Sequence, residues 1–221
     1  MQEVVQRLGE IGSRVRAYLD AEDAAREQAL RLSRELNRRA ASAIRAVHRA
    51  EWDEADRTLQ EAAQVAAQLR DLWAAHGWVY TAGFVQDAQK EYAEAQITRA
   101  LIGGQPLPTP EELGVEPVAY LNGLAESTGE LRRHIVDAIR QDALDHSEGL
   151  LQVMDEVYNL LVTFDYPDAI SMGLKRRLDV VRGVLERTRS DLTNAIRQET
   201  LRAALARAEG MMASAEGSGN L

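Results

Sequence analysis

Residues 103–117, Gly-Gly-Gln-Pro-Leu-Pro-Thr-Pro-Glu-Glu-Leu-Gly-Val-Glu-Pro, hold four of the chain's five prolines, and the fold is read from that crowding. The fifth, Pro167, stands apart in Asp165-Tyr166-Pro167. Proline lacks an amide donor and collides with the preceding turn, so long helices exclude it from their interiors. Outward from this segment in both directions the chain runs in Ala, Leu, Glu, Gln and Arg at helical spacing, with no sustained period-two alternation. These features predict an all-α protein, a bundle of six or seven helices with short connections. Inside the break, Thr109 before Pro110 predicts a helix cap followed by a first-turn proline, and Glu112 is placed to complete a capping box.

The first helix is expected over about residues 2–49, loosened at Gly9 and Gly12. A second starts at a cap on Asp53 and runs to about 75; a third covers about 78–102, after Gly77 and before Gly103-Gly104. A fourth begins near Pro117 and stops around 141–146, a fifth spans about 147–162, and a last covers about 168–208. Residues 1–208 are read as a single helical domain, and the Gly/Ser-rich end Glu-Gly-Met-Met-Ala-Ser-Ala-Glu-Gly-Ser-Gly-Asn-Leu (209–221) as a flexible tail. The sparse aromatics Trp73, Trp78, Tyr80, Phe84 and Tyr92 fall at helical spacing and are assigned to the core.

The 221 residues contain no cysteine, which removes disulfides, thiolate metal sites and cysteine nucleophiles. No run approaches the roughly 20 apolar residues of a membrane helix, and the start Met-Gln-Glu-Val-Val-Gln-Arg does not read as a signal peptide, so a cytoplasmic location is expected. A net charge of −9 argues against nucleic-acid binding by the whole surface, while leaving room for a local basic one. Nearly every cation is arginine, with Lys90 and Lys175 the exceptions. That choice suits bidentate contact with phosphate or carboxylate, and compositional bias of the genome produces it as well.

Two pairs of acids carry candidate chemistry. Glu91 and Glu94 lie at i and i+3 on the third helix, and Glu126 and Glu130 at i and i+4 on the fourth, so each pair shares a helix face. Should those faces meet, four carboxylates would converge and repel unless some protonate or a cation enters. Oxygen-only ligation favours Mg²⁺ or Mn²⁺ over zinc, and two such ions serve phosphodiester cleavage. The same spacings are common on solvated helix faces, where Lys90 would pair with Glu94 and Arg133 with Glu130. His48, His76, His134 and His146 do not supply the Glu-x-x-His motifs of a di-iron bundle.

The segment Ala119-Tyr120-Leu121-Asn122-Gly123-Leu124-Ala125-Glu126-Ser127-Thr128-Gly129-Glu130-Leu131 resembles the D-Y-L-x-G-x-A-D-x-T-G-E-L segment of the translin family's catalytic type, translin-associated factor X. Glu91-Tyr92-Ala93-Glu94-Ala95 is similar to its E-[FY]-V-E-A, and Leu174-Lys175-Arg176-Arg177-Leu178-Asp179-Val180-Val181-Arg182-Gly183-Val184-Leu185-Glu186 to the family's basic last helix. The resemblance implies Mg²⁺-dependent endonucleolytic cleavage of single-stranded RNA, with Glu91, Glu94, Glu126 and Glu130 as metal ligands and catalytic residues. It further implies a hollow, usually octameric homo-oligomer with a basic interior. Glu126 departs from the pattern, standing where the catalytic type has aspartate. The alternative within the family is a non-catalytic binder of single-stranded RNA or DNA. A helical scaffold without nucleic acid is the third reading.

Arg31, Arg34, Arg38, Arg45 and Arg49 fall within a narrow sector of the first helix, with Ser42 beside them and Leu32, Leu36 and Val47 roughly opposite. Such a ridge could carry a phosphate backbone, or be a solvated face paired with acids such as Glu35. Arg176, Arg177 and Arg182 form a second cluster open to the same two readings.

Overall fold

The computed structural model describes the backbone of residues 1–144 and 146–218, with all their side chains except those of Tyr80 and 213–218. Among these residues there are nine helices and no strand: α1 (Gln2–His48), α2 (Trp52–Ala75), α3 (Gly77–Tyr80), α4 (Gly83–Ile102), α5 (Pro110–Leu113), α6 (Pro117–Arg140), α7 (Ser147–Leu161), α8 (Asp168–Ser171) and α9 (Leu174–Ser218). Six are long, in agreement with the expected bundle. No helix among the described residues is long and apolar enough to cross a membrane.

The expected boundaries hold for most elements and fail where a local turn intervenes. Helix α1 runs unbroken through Gly9 and Gly12. It ends at a left-handed Ala50 (φ 55°), so α2 begins at Trp52 with Glu51 before it, and Asp53 lies inside the helix instead of capping it. The expected third helix is divided: Ala82 is extended, and the Thr81 hydroxyl donates to the Trp78 carbonyl at 3.0 Å. The expected last helix is divided too, by Met172 (φ 52°) and Gly173 (φ 83°), a pair of left-handed residues between α8 and α9. Beyond residue 208, where a flexible tail was expected, the backbone continues α9 to Ser218; residues 219–221 lie outside the described residues. The capping box forms as read. Thr109 Oγ1 accepts from the Glu112 amide at 3.2 Å, and Glu112 Oε2 accepts from the Thr109 amide at 2.7 Å.

The core is built from the inner faces of the long helices. On α1 the buried positions begin only at Ala25 and continue through Ala29, Leu36, Ala40, Ala43 and Val47, the apolar edge expected opposite the arginines. This half packs on α2 and α4; α4 packs on α6, and α6 on α7 and α9. Tyr92 is fully buried in that core as expected, whereas Trp78 is 39% exposed and donates through Nε1 to Glu22.

The α4–α6 crossing positions everything that follows. At Gly123 an added Cβ would stand 2.7 Å from the Lys90 carbonyl oxygen and 2.9 Å from the Glu94 amide. The two backbones therefore touch at this point, and only a residue without a side chain permits it. Glu126 sits one turn beyond Gly123 on α6, and Glu91 and Glu94 flank the contact on α4.

Candidate functional site

The close crossing brings together acids from both helices. One carboxylate oxygen from each of Glu91, Glu94 and Glu126 falls in a group whose members all lie within 4.8 Å of one another. Glu130, the fourth expected member, is outside that group. Its Oε2 is bound to His48 Nε2 at the end of α1 and lies 3.8 Å from Arg133. It still acts on Glu94 through its charge.

The four acids have unlike surroundings. Glu94 is 8% exposed, and no donor is placed on it among the described residues. Burial first, then the charges of Glu91, Glu126 and Glu130, push its carboxyl up to about 8, against only a partial opposing effect of Lys90. Glu130 moves the other way, its carboxyl held below the usual range chiefly by the His48 bond. Glu91 and Glu126 are partly exposed, and both are engaged by Lys90, whose Nζ is 3.0 Å from Glu91 Oε1 and 2.8 Å from Glu126 Oε2. Burial works to discharge that ammonium, but its bonds to Glu126 and Glu91 outweigh it and hold Lys90 charged well above the usual lysine range. The expected Lys90–Glu94 pair is thus replaced by pairs to Glu91 and across the crossing to Glu126, while the expected Arg133–Glu130 pair is present at 3.8 Å. Arg177 of α9 donates through Nε to Glu126 Oε1 at 2.8 Å and through Nη1 to the Met172 carbonyl at 3.1 Å. Beside Glu94, Glu126 and Arg177 opens a cavity of about 330 Å³ walled by Gly129, Val180, Val181 and Val184.

Two of these neighbours were not singled out for the acids. The His48 side chain is almost wholly buried, its Nδ1 has no partner among the described residues, and it reaches Glu130 from 82 residues away. No spacing could have linked them. Arg177 was grouped with Arg176 and Arg182, but the three part ways: Arg177 turns to Glu126, Arg182 pairs with Glu186 on the surface, and Arg176 is exposed.

The α1 ridge is present and uneven. Arg31, Arg34, Arg38 and Arg45 are exposed, and among the described residues Arg31, Arg34 and Arg38 make no ion pair. Glu35, the acid at the edge of the ridge, is taken by Arg39, which also binds Glu61. Arg45 donates to Ser42 Oγ at 3.0 Å. Arg49 is paired with Glu51, so the ridge's last member is not free. Arg45 lies one turn before His48, the residue that binds Glu130.

An uncharacterized protein of Methanocaldococcus jannaschii is 31% identical over 193 residues, covering 87% of this chain and 86% of its own length. Among solved structures, AfC3PO in complex with duplex RNA superposes with a TM-score of 0.78 at 32% identity, covering 83% of this chain and 95% of the other. AfC3PO crystallised by itself gives 0.77 at the same identity and coverage. Apo-NeC3PO, at 18% identity and a TM-score of 0.76 over 83% of this chain and 96% of its own, shares the fold. The model of the Translin family matches residues 1–189, and the chain belongs to that family.

Proposed function

We propose that the chain is a Mg²⁺- or Mn²⁺-dependent endoribonuclease of the translin family's catalytic type. It cleaves single-stranded RNA through Glu91, Glu94, Glu126 and Glu130 inside a homo-oligomeric, octameric shell. The observation that carries this reading is Glu94: a buried carboxyl without a donor, pushed up to about 8 in the company of Glu91 and Glu126. A divalent cation relieves that strain, and the all-oxygen donor set suits Mg²⁺ or Mn²⁺. The ion would be held by Glu91, Glu94 and Glu126, with Glu130 alongside, and when bound it supplies Lewis acidity and charge neutralisation to phosphodiester cleavage.

The chain's own residues divide the remaining work. Arg177, anchored on Glu126 at the mouth of the cavity, is placed to receive a phosphate oxygen through Nη2. His48 holds the Glu130 carboxylate at the α1 end of the site. Arg31, Arg34 and Arg38, unpaired and exposed, offer the phosphate backbone a track toward the acids, with Arg45 continuing it and Arg49 at its end. RNA as the ligand class is supported by AfC3PO, whose structure contains duplex RNA. Assembly is supported by an exposed stripe on the unpacked half of α1, Val4, Leu8, Ile11, Val15 and Tyr18, at the spacing of a coiled-coil seam. A cytoplasmic location accompanies the proposal.

The second reading, a non-catalytic binder of single-stranded RNA or DNA, is favoured by Lys90, which already neutralises Glu91 and Glu126. Labelled single-stranded RNA incubated with Mg²⁺ or Mn²⁺, with and without chelator, separates the two. Cleavage that needs the metal and disappears in Glu91→Ala/Glu94→Ala is expected. Metal-dependent cleavage unchanged in that variant places the reaction elsewhere, and tight binding without cleavage leaves the non-catalytic binder.

A further inference from the structure

The carboxylate basin holds a cation that the chain itself supplies. Lys90 Nζ lies 2.8 Å from Glu126 Oε2 and 3.0 Å from Glu91 Oε1, with its side chain 10% exposed. Glu91 and Glu126 are two of the three residues whose oxygens converge. An ammonium and a divalent ion draw on the same lone pairs and repel each other, so they do not share both carboxylates at close range. On its other side the same Nζ lies 3.1 Å from Asp87 Oδ1, a half-exposed carboxylate one turn earlier on α4 and outside the convergent group. The lysine stem is flexible and its ammonium a compact point charge, so a small rotation exchanges one set of partners for the other. Arg177 is fixed more firmly, its Nε donating to Glu126 and its Nη1 to the Met172 carbonyl.

On the metal-dependent reading above, we infer that Lys90 is a tethered competitor for the divalent ion. It occupies Glu91 and Glu126 when no ion is loaded and withdraws to Asp87 when one is. The ammonium keeps the acids from repelling one another in the unloaded chain, and the ion must displace it in order to bind. The occupant also shows that the basin is a seat for positive charge.

Titration of the full chain with Mn²⁺ alone, following free Mn²⁺ by electron paramagnetic resonance at one pH, tests this. Lys90→Met and Lys90→Gln are expected to bind Mn²⁺ about tenfold tighter or more, because a like charge has left the seat. Asp87→Asn is expected to bind several-fold more weakly, the ammonium having lost its outer partner. In Lys90→Met/Asp87→Asn the affinity returns to that of Lys90→Met, since Asp87 matters only while there is a lysine to receive. Lys90 variants that bind Mn²⁺ no tighter than wild type overturn the inference. So does a double variant that keeps the full Asp87→Asn loss, which makes Asp87 a direct partner of the ion. Circular dichroism in chelator verifies folding, and the polar Lys90→Gln carries the comparison if Lys90→Met does not fold. If no variant, wild type included, takes up Mn²⁺, the metal-dependent reading itself falls with it.

Discussion

Helix α4 carries buried charge on two faces, and the two are built differently. On one, Arg99 is 7% exposed yet fully provided for: Nε and Nη2 bind the two oxygens of Asp56 at 2.7 and 2.9 Å, and the guanidinium lies 4.8 Å from the ring centroid of Trp52. On the other, Glu94 is equally buried, its neighbours are mostly like charges, and no donor reaches it among the described residues. A planar fork matched to a carboxylate and stacked on an indole is a closed arrangement that needs nothing further. A carboxyl pushed up to about 8 is an open one, stable only with a proton or a cation from outside. Burial of charge is therefore no guide to function by itself; what distinguishes the two faces is whether the buried group has been given its partner.

The largest expected effect lies on the open face. Glu94 titrates near 8 in the folded chain against an ordinary 4.5, so between those values the folded state binds a proton that the unfolded state has lost. Without divalent ions, this contribution leaves stability unchanged below pH about 4.5 and lowers it as pH rises toward 8, by on the order of a few kcal/mol. Glu94→Gln is expected to abolish this fall and to be the more stable protein at pH 9 in chelator. Urea denaturation of both at pH 5 and pH 9 measures it, and parallel pH dependence in the two would remove Glu94 as its source.

The closed face should respond in the opposite manner. Asp56→Ala leaves the Arg99 guanidinium buried without its carboxylate, a loss of about 2–3 kcal/mol once the half-exposure of Asp56 is allowed for. The loss should be the same in chelator and in Mn²⁺, and Mn²⁺ affinity should be unchanged, because Asp56, on α2, meets α4 at Arg99 and not at the face that carries Glu91 and Glu94. A change in Mn²⁺ affinity would join the two clusters and blur the distinction drawn above. Chemical denaturation paired with Mn²⁺ titration reads both quantities.

The difference between the faces also marks how far the sequence could be read. Proline placement revealed the helices, and residues 109–112 revealed a capping box that forms as written, because both signals act within a few residues. Two of the boundary errors share one cause: Ala50 and Met172 adopt left-handed turns without being glycine or asparagine, so neither announced a stop. Glu91, Glu94 and Glu126 were legible as helix-face pairs, and their convergence followed only from the family resemblance. His48 and the second contact of Lys90, to Glu126, arise from tertiary packing, and no local pattern encodes a bond between residues 82 or 36 positions apart. Glu126 drew notice for replacing an aspartate; the structure gives its longer side chain two cations to hold, Lys90 and Arg177.

Gly123 and Gly129, both on α6, carry the comparison to smaller effects. At Gly123 an alanine Cβ would meet the α4 backbone at 2.7 and 2.9 Å, and neither the Lys90 carbonyl nor the Glu94 amide can give way alone. Gly123→Ala should cost about 1–3 kcal/mol. By forcing α4 and α6 apart it should also separate Glu126 from Glu91 and Glu94, so stability and Mn²⁺ affinity fall together. At Gly129 the same Cβ would meet nothing within 4 Å, although the residue stands between Glu126 and Glu130 and lines the cavity beside them. There the change removes only the conformational freedom of a helical glycine, and a gain of about 0.5–1 kcal/mol is expected with Mn²⁺ affinity unmoved. Thermal melts and Mn²⁺ titration of the two single variants suffice to check this. If Gly129→Ala weakens Mn²⁺ binding as Gly123→Ala does, the acids depend on α6 as a whole and not on the α4–α6 crossing. If only Gly123→Ala does so, the contact of two backbones at one glycine is what makes the open face of α4 a site.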